Sequence, residues 1–194
     1  MEKGGVSSAI IKSVVLVVLA AMIVLGIYMM LTRSKKSPTE ENYTPSVVDE
    51  FTTMNLEKNY PASARKVVEL FVRTMQVLYK EDYTDEQEDK MIALLRGIMD
   101  DELLVNNLNF DKDIKDEVKR KKSEDNSISN FEVLQKREPQ EYKIDKRWMC
   151  QVDCIYYMRM GSQGTVTVDY AFILRRDEVT NNWKIYGWAL KEDK

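Results

Sequence analysis

From Trp148 onward, apolar and polar positions alternate strictly. Trp148, Cys150, Val152, Cys154, Tyr156, Met158 and Met160 share one parity and are all apolar or aromatic. The intervening Met149, Gln151, Asp153, Ile155, Tyr157 and Arg159 are mixed. Period two over this length predicts a long, half-buried strand. The Gly161-Ser162-Gln163-Gly164 stretch predicts a hairpin loop, followed by a second strand from Thr165 to Arg176. In that strand Val166, Val168, Tyr170, Phe172 and Leu174 share the inward parity. A polar turn, Asp177 to Asn182, leads into a last strand, "WKIYGWAL". There Trp183 and Ile185 disagree in parity with Trp188 and Leu190, so Gly187 is expected to mark a bulge that flips the register. Ile128 to Arg137 is a further strand candidate.

Upstream the period changes to that of helices. Ala64, Val67, Val68, Phe71, Met75 and Leu78 form one stripe after Ser63, a good N-cap, and the helix is expected to run to Lys80. Thr84 and Gln87 make a capping box for a second helix, whose stripe is Met91, Leu94, Leu95, Ile98 and Met99. A third helix is expected over Asp111 to Lys122, with Ile114 and Val118 one turn apart. Its terminal run of cations, Lys119 to Lys122, suits the negative end of a helix dipole.

Nearer the start, "SVVLVVLAAMIVLGIYMMLT" (13–32) carries no charge. As a helix it is about 30 Å long, the thickness of a bilayer's hydrocarbon core. The run outlasts a signal-peptide core and ends in the bulky Met29-Met30-Leu31, so it predicts a retained single-pass anchor. Lys3 and Lys12 precede it, and Arg33, Lys35 and Lys36 follow it. That near-tie leans toward a cytoplasmic carboxyl side. Residues 33–59 are polar, carry Pro38 and Pro45, and suggest a stalk with a short helix near Val47–Leu56. The expected organisation is a tail over 1–12, a transmembrane helix over 13–32, a polar stalk over 33–59 and an α+β domain over 60–194.

Composition narrows the chemistry. The chain has 194 residues and no histidine, which removes the commonest general base and metal ligand. Beyond Lys36 there are 24 basic and 31 acidic residues, a net charge of −7 that excludes nucleic acid as a natural partner. Cys150 and Cys154 are four residues apart, which on a strand is about 13 Å. They cannot form a disulfide with each other, and no further ligand completes a zinc site. They are expected as small apolar residues on the core face. Phosphate loops, zinc spacings and nucleophile elbows are absent. Asp153 and Asp169 fall on the outward parity, so the inward polar candidates are Tyr156 and Tyr170, with no base partner in view. No catalytic residue, cofactor or metal is expected. Tyr156, Tyr170 and Cys154 are the candidate pocket-lining residues; Met149, Ile155 and Tyr157 are a candidate partner face.

The order of helices followed by a curved antiparallel sheet, closing in "LRRDEVTNNWKIYGWAL", resembles the nuclear-transport-factor-two-like (cystatin-like) cone. The chain also resembles a family of single-pass membrane proteins of clostridial Gram-positive bacteria. That likeness rests on Asn59-Tyr60-Pro61, Val67-Val68, Asp101-Glu102-Leu103-Leu104, Leu174-Arg175-Arg176-Asp177 and Trp183-Lys184-Ile185. It implies a domain outside the cell membrane and supplies no activity.

Three functions fit. The first is a membrane-anchored, non-enzymatic binding or assembly module, with the bilayer as partner through 13–32 and a protein partner or homodimer through the sheet. The second is a bitopic component of a cell-envelope secretion or conjugation machine. The third is a cone-fold isomerase or dehydratase. The parity itself is testable: Cys154→Asp is expected to unfold the domain, because it would bury an unpaired charge. Unchanged thermal stability in that variant would overturn the assignment.

Overall fold

The structure is a computed structural model that describes residues 46–134 and 138–191. Among the described residues no helix is long and apolar enough to cross a membrane; the expected anchor at 13–32 lies outside them.

Ser63 adopts an extended backbone and its hydroxyl accepts the Lys66 N–H at 3.3 Å, opening a 17-residue helix, Ala64–Lys80 (α2). Its expected stripe is buried, and so are Leu70, Val72 and Val77. The helix is therefore covered on more than one side, by the sheet and by other helices. The Thr84–Gln87 capping box forms as expected and opens Asp85–Gly97 (α3). Ile98 and Met99 extend its apolar pattern but leave the helix, because Ile98 to Asp100 pair with the last strand instead. Asp101–Asn106 (α4) follows, a short helix with no buried residue and hence no apolar stripe to reveal it. Phe110–Ser123 (α5) covers the expected third helix and ends in its basic run.

A first helix, Val47–Thr52 (α1), has its own capping box from Ser46 and Asp49. Val48 and Phe51 are buried in the core, with Met54 and Leu56 packed against it. The short helix expected within the stalk is therefore present, and the described part of that stretch, residues 46–59, packs onto the domain rather than standing off it. These apolar anchors suffice to pull a polar segment into the domain.

The sheet is antiparallel, curved and ordered β1-β3-β4-β5. It comprises Asn126–Val133 (β1), Glu141–Ile144 (β2), Arg147–Met160 (β3), Thr165–Arg176 (β4) and Trp183–Leu190 (β5). β1 and β2 both pair with β3, on the edge opposite β4. All four residues of β2 are exposed, so no alternation marks it in the sequence. The bulge expected at Gly187 is present: Ile173 faces Gly187 and Leu174 faces Ile185, leaving Tyr186 as the extra residue.

The inward row of β3 holds from Cys150 to Met158, all buried against the helices. It fails at the ends. Trp148 is 43% exposed, and Val166, expected inward on β4, is 44% exposed. Parity is right there, but the helical layer stops short of the strand ends. On the outer face the reverse occurs at Met149, which is only 8% exposed and cannot contribute to a partner face as expected. Its cross-strand neighbours, Tyr142 on one side and Arg175 on the other, cover it.

Cys150 and Cys154 are free and buried, and burial pushes each thiol from the ordinary 9.0 up to about 12. The folded state thus resists thiol ionisation that the unfolded state allows. This contribution to stability is complete below pH 9 and is lost as pH rises toward about 12. Neither thiol is expected to react with an aromatic disulfide reagent at pH 8 in the native protein, and both should react in urea. Rapid native labelling of either would show that the row is not buried.

Candidate functional site

Two arrangements meet at β5. The first fastens its edge. Ile185 donates to the Ile98 carbonyl and accepts from the Asp100 N–H, both at 2.9 Å, forming a parallel bridge at the α3–α4 junction. The Asp100 side chain caps α4 through the Glu102 N–H at 2.9 Å. It is also held by the Arg175 guanidinium through two hydrogen bonds, from Nε and Nη2. Arg175 gives a third to Glu102 at 2.8 Å and lies 4.5 Å from the Tyr186 ring centroid. Lys184 reaches Asp101 at 3.4 Å and Asp177 at 3.9 Å. Tyr60 donates to the Trp183 carbonyl at 2.8 Å. The segments that carry the family resemblance, around Tyr60, Asp101, Arg175 and Lys184, therefore converge on one brace. A buried carboxylate held bidentately by arginine gives geometric precision, which suits a structural role.

The second is a cleft of about 280 Å³ beside the far half of β5. Leu103, Phe110, Ile114 and Trp188 supply apolar walls, Gly187 leaves room at the bulge, and Asn107, Asp113 and Glu117 bring polar groups. Asp113 and Glu117 are one turn apart on α5. Trp188 is held by aromatic contacts, 5.2 Å from Phe71 and stacked at 6.3 Å on Phe172. From Phe172 the contacts continue to Tyr170 at 6.4 Å and from Tyr170 to Tyr156 at 4.6 Å. A rigid aromatic row thus runs from the inner wall to the cleft.

Glu117 is the residue that the sequence reading missed. It accepts the Tyr79 hydroxyl at 2.8 Å and acts electrostatically on Tyr79, Tyr156 and Tyr170. Its signal was its place three residues after Ile114 and one before Val118, at the margin of the α5 stripe. Burial raises all three tyrosines above their ordinary value, and Glu117 adds to it. They are hydrogen-bond donors at neutral pH; none is poised to act as a base or nucleophile.

The other expected residues fall as follows. Tyr156 is buried and Tyr170 half-buried on the inner face, in contact with each other. Cys154 lies in the same wall but is sealed, and it does not line the cleft. Ile155 and Tyr157 are half-buried on the outer face. Asp153 is on that face too, paired with Lys191 at 2.9 Å. Among the described residues no three Cys, Asp or Glu side chains are grouped to hold a metal ion.

A family model described as a domain of unknown function (DUF6715) matches residues 1–188 of this chain. No curated protein matches it. Among solved structures, the intermembrane-space region of the chloroplast protein ARC6 is similar at a TM-score of 0.38 and 10% identity, over 72% of this chain and 98% of that one. A likeness at that level transfers neither fold nor function.

The brace makes its own prediction. Arg175→Met should cost about 3–5 kcal/mol in urea unfolding, because Asp100 is left charged and buried. Combining it with Asp100→Asn, which can still cap α4, should recover much of the loss. Equal stability of the single variant and the parent would contradict the brace.

Proposed function

The chain belongs to the DUF6715 family, and from that premise and the geometry above we propose that it is a membrane-anchored, extracytoplasmic, non-enzymatic binding module. The observation that carries this reading is the open cleft at β5, apolar in its walls, acidic on one side and backed by a fixed aromatic row. Such a cleft, small and apolar-walled, suits one side chain of a bound partner.

Support for the anchor comes from the uncharged 13–32 segment, and support for placement outside the cell comes from the resemblance to clostridial single-pass proteins. The helices-on-curved-sheet order supports a cone of the nuclear-transport-factor-two-like kind, which leaves a concave mouth for a guest. Service within an envelope secretion or conjugation machine is compatible with this reading, as a use of the same cleft.

Topology tests it. In wall-stripped Gram-positive cells expressing the full chain with a carboxyl-terminal tag, external protease should remove the tag while a cytosolic control survives. Protection of the tag would place the domain inside the cell and overturn the reading.

A further inference from the structure

The brace covers only part of the β5 edge. Lys191 donates to the Asp169 carbonyl at 2.8 Å, which fixes the alternation of the β4–β5 ladder. Antiparallel pairs alternate between bonded and non-bonded. Counting back along the register, Ala189 bonds to Ala171, while Trp188 and Leu190 face Phe172 and Tyr170 as non-bonded pairs. The backbone N–H and C=O of Trp188 and Leu190 therefore point away from β4, at the sheet's margin, with no backbone partner among the described residues. Ile185 points its own groups the same way, and there they are taken by Ile98 and Asp100. The chain then turns into α4, so the cover by described residues ends where the open edge begins.

The side chains agree with the backbone. Trp188 is 38% and Leu190 61% exposed on the inner face, an apolar margin that a lone edge strand would ordinarily guard with charge. The adjoining cleft, about 280 Å³, is at the lower limit for a whole small-molecule site and suits one anchoring side chain. Its charge is one-sided. Asp113 has no ion-pair partner among the described residues, and the nearest cation to Glu117 is Arg120 at 4.0 Å.

We propose that an extended segment of a partner protein, carrying an apolar and a basic residue two positions apart on one face, adds to the sheet along Trp188–Leu190. Its backbone completes the bonds left open by these two residues. One apolar side chain fills the cleft between Phe110, Ile114 and Trp188, and a lysine or arginine two residues along, on the same face of the segment, meets Asp113 and Glu117. Backbone pairing supplies affinity and the cleft supplies selectivity, the division of labour in strand addition. The inference rests on the cleft reading and deepens it by naming the guest.

The test uses full-length protein in neutral detergent and fluorescein-labelled heptapeptides that carry Lys or Arg and Val, Leu or Phe two positions apart, with Ser or Thr between them. Anisotropy should report dissociation constants on the order of 10⁻⁴ M or tighter. Peptides with Glu in place of the cations should bind at least about tenfold more weakly, as should peptides N-methylated at alternate amides, which lose the backbone bonds. Asp113→Asn combined with Glu117→Gln should weaken the basic peptides about tenfold, whereas Ile155→Ser on the outer face should change nothing. Absence of binding at about 1 mM would overturn the proposal. So would equal binding of the N-methylated set, of a simple alkylamine, or by the doubly neutralised variant. Equal binding of the N-methylated set or of an alkylamine removes strand addition and equal binding by the neutralised variant removes the charge contact, while all three leave the cleft as a binding site; the protease experiment addresses placement independently.

Discussion

The helical layer is too short for the sheet it covers. β3 has 14 residues and spans about 46 Å, whereas α2, at 17 residues, is about 26 Å long and α5, at 14, about 21 Å. Burial is therefore complete only along the middle of the inner face, where Cys150, Val152, Cys154, Tyr156, Phe172 and Leu174 lie. At one end Trp148 emerges and at the other Val166 does, while Trp188 and Leu190 emerge on the lateral β5 margin, beside Phe172 and Tyr170. The cleft lies along that margin, between the edge strand and the helices α4 and α5.

Two features decide that this margin becomes a defined site. The bulge at Gly187 flips the register of β5, so that Ile185 and Trp188 both face inward although their numbers differ in parity. The brace from Asp100 to Arg175 then fixes β5 against the α3–α4 junction at the near end and leaves the far end open. A buried, bidentate ion pair is a poor source of net stability and a good source of geometric precision. Its position at the α3–α4 junction fits that role: it sets how far the chain's own backbone pairs with β5.

Much of this was legible in the residues, and the failures have physical causes. Ser63 and the Thr84–Gln87 box located two helix starts, because capping is local chemistry. The alternation in β3 and β4 and the discord around Gly187 gave the strands and the bulge, because side-chain direction has a strict period. β2 and α4 escaped because neither buries a residue. Met149 and Trp148 were misjudged because parity tells which face a side chain is on, and only the neighbouring elements tell whether that face is covered. The site was harder still. Tyr156 and Tyr170, expected to line a pocket, lie in the inner wall and not in the cleft, while Glu117 and Asp113 looked like the solvated margin of a charged helix, and their place opposite Trp188 depends on tertiary packing.

Residue-resolved amide hydrogen exchange tests the central claim most directly, because it separates paired from open backbone along the same sheet. The account predicts that amides of the β3 row from Cys150 to Tyr156 exchange only through global unfolding. Those of Trp188 and Leu190 exchange orders of magnitude faster, with Ile185 protected by its bridge. Slow exchange at Trp188 and Leu190 equal to that of β3, or fast exchange along the β3 row, would contradict a closed inner wall beside an open edge.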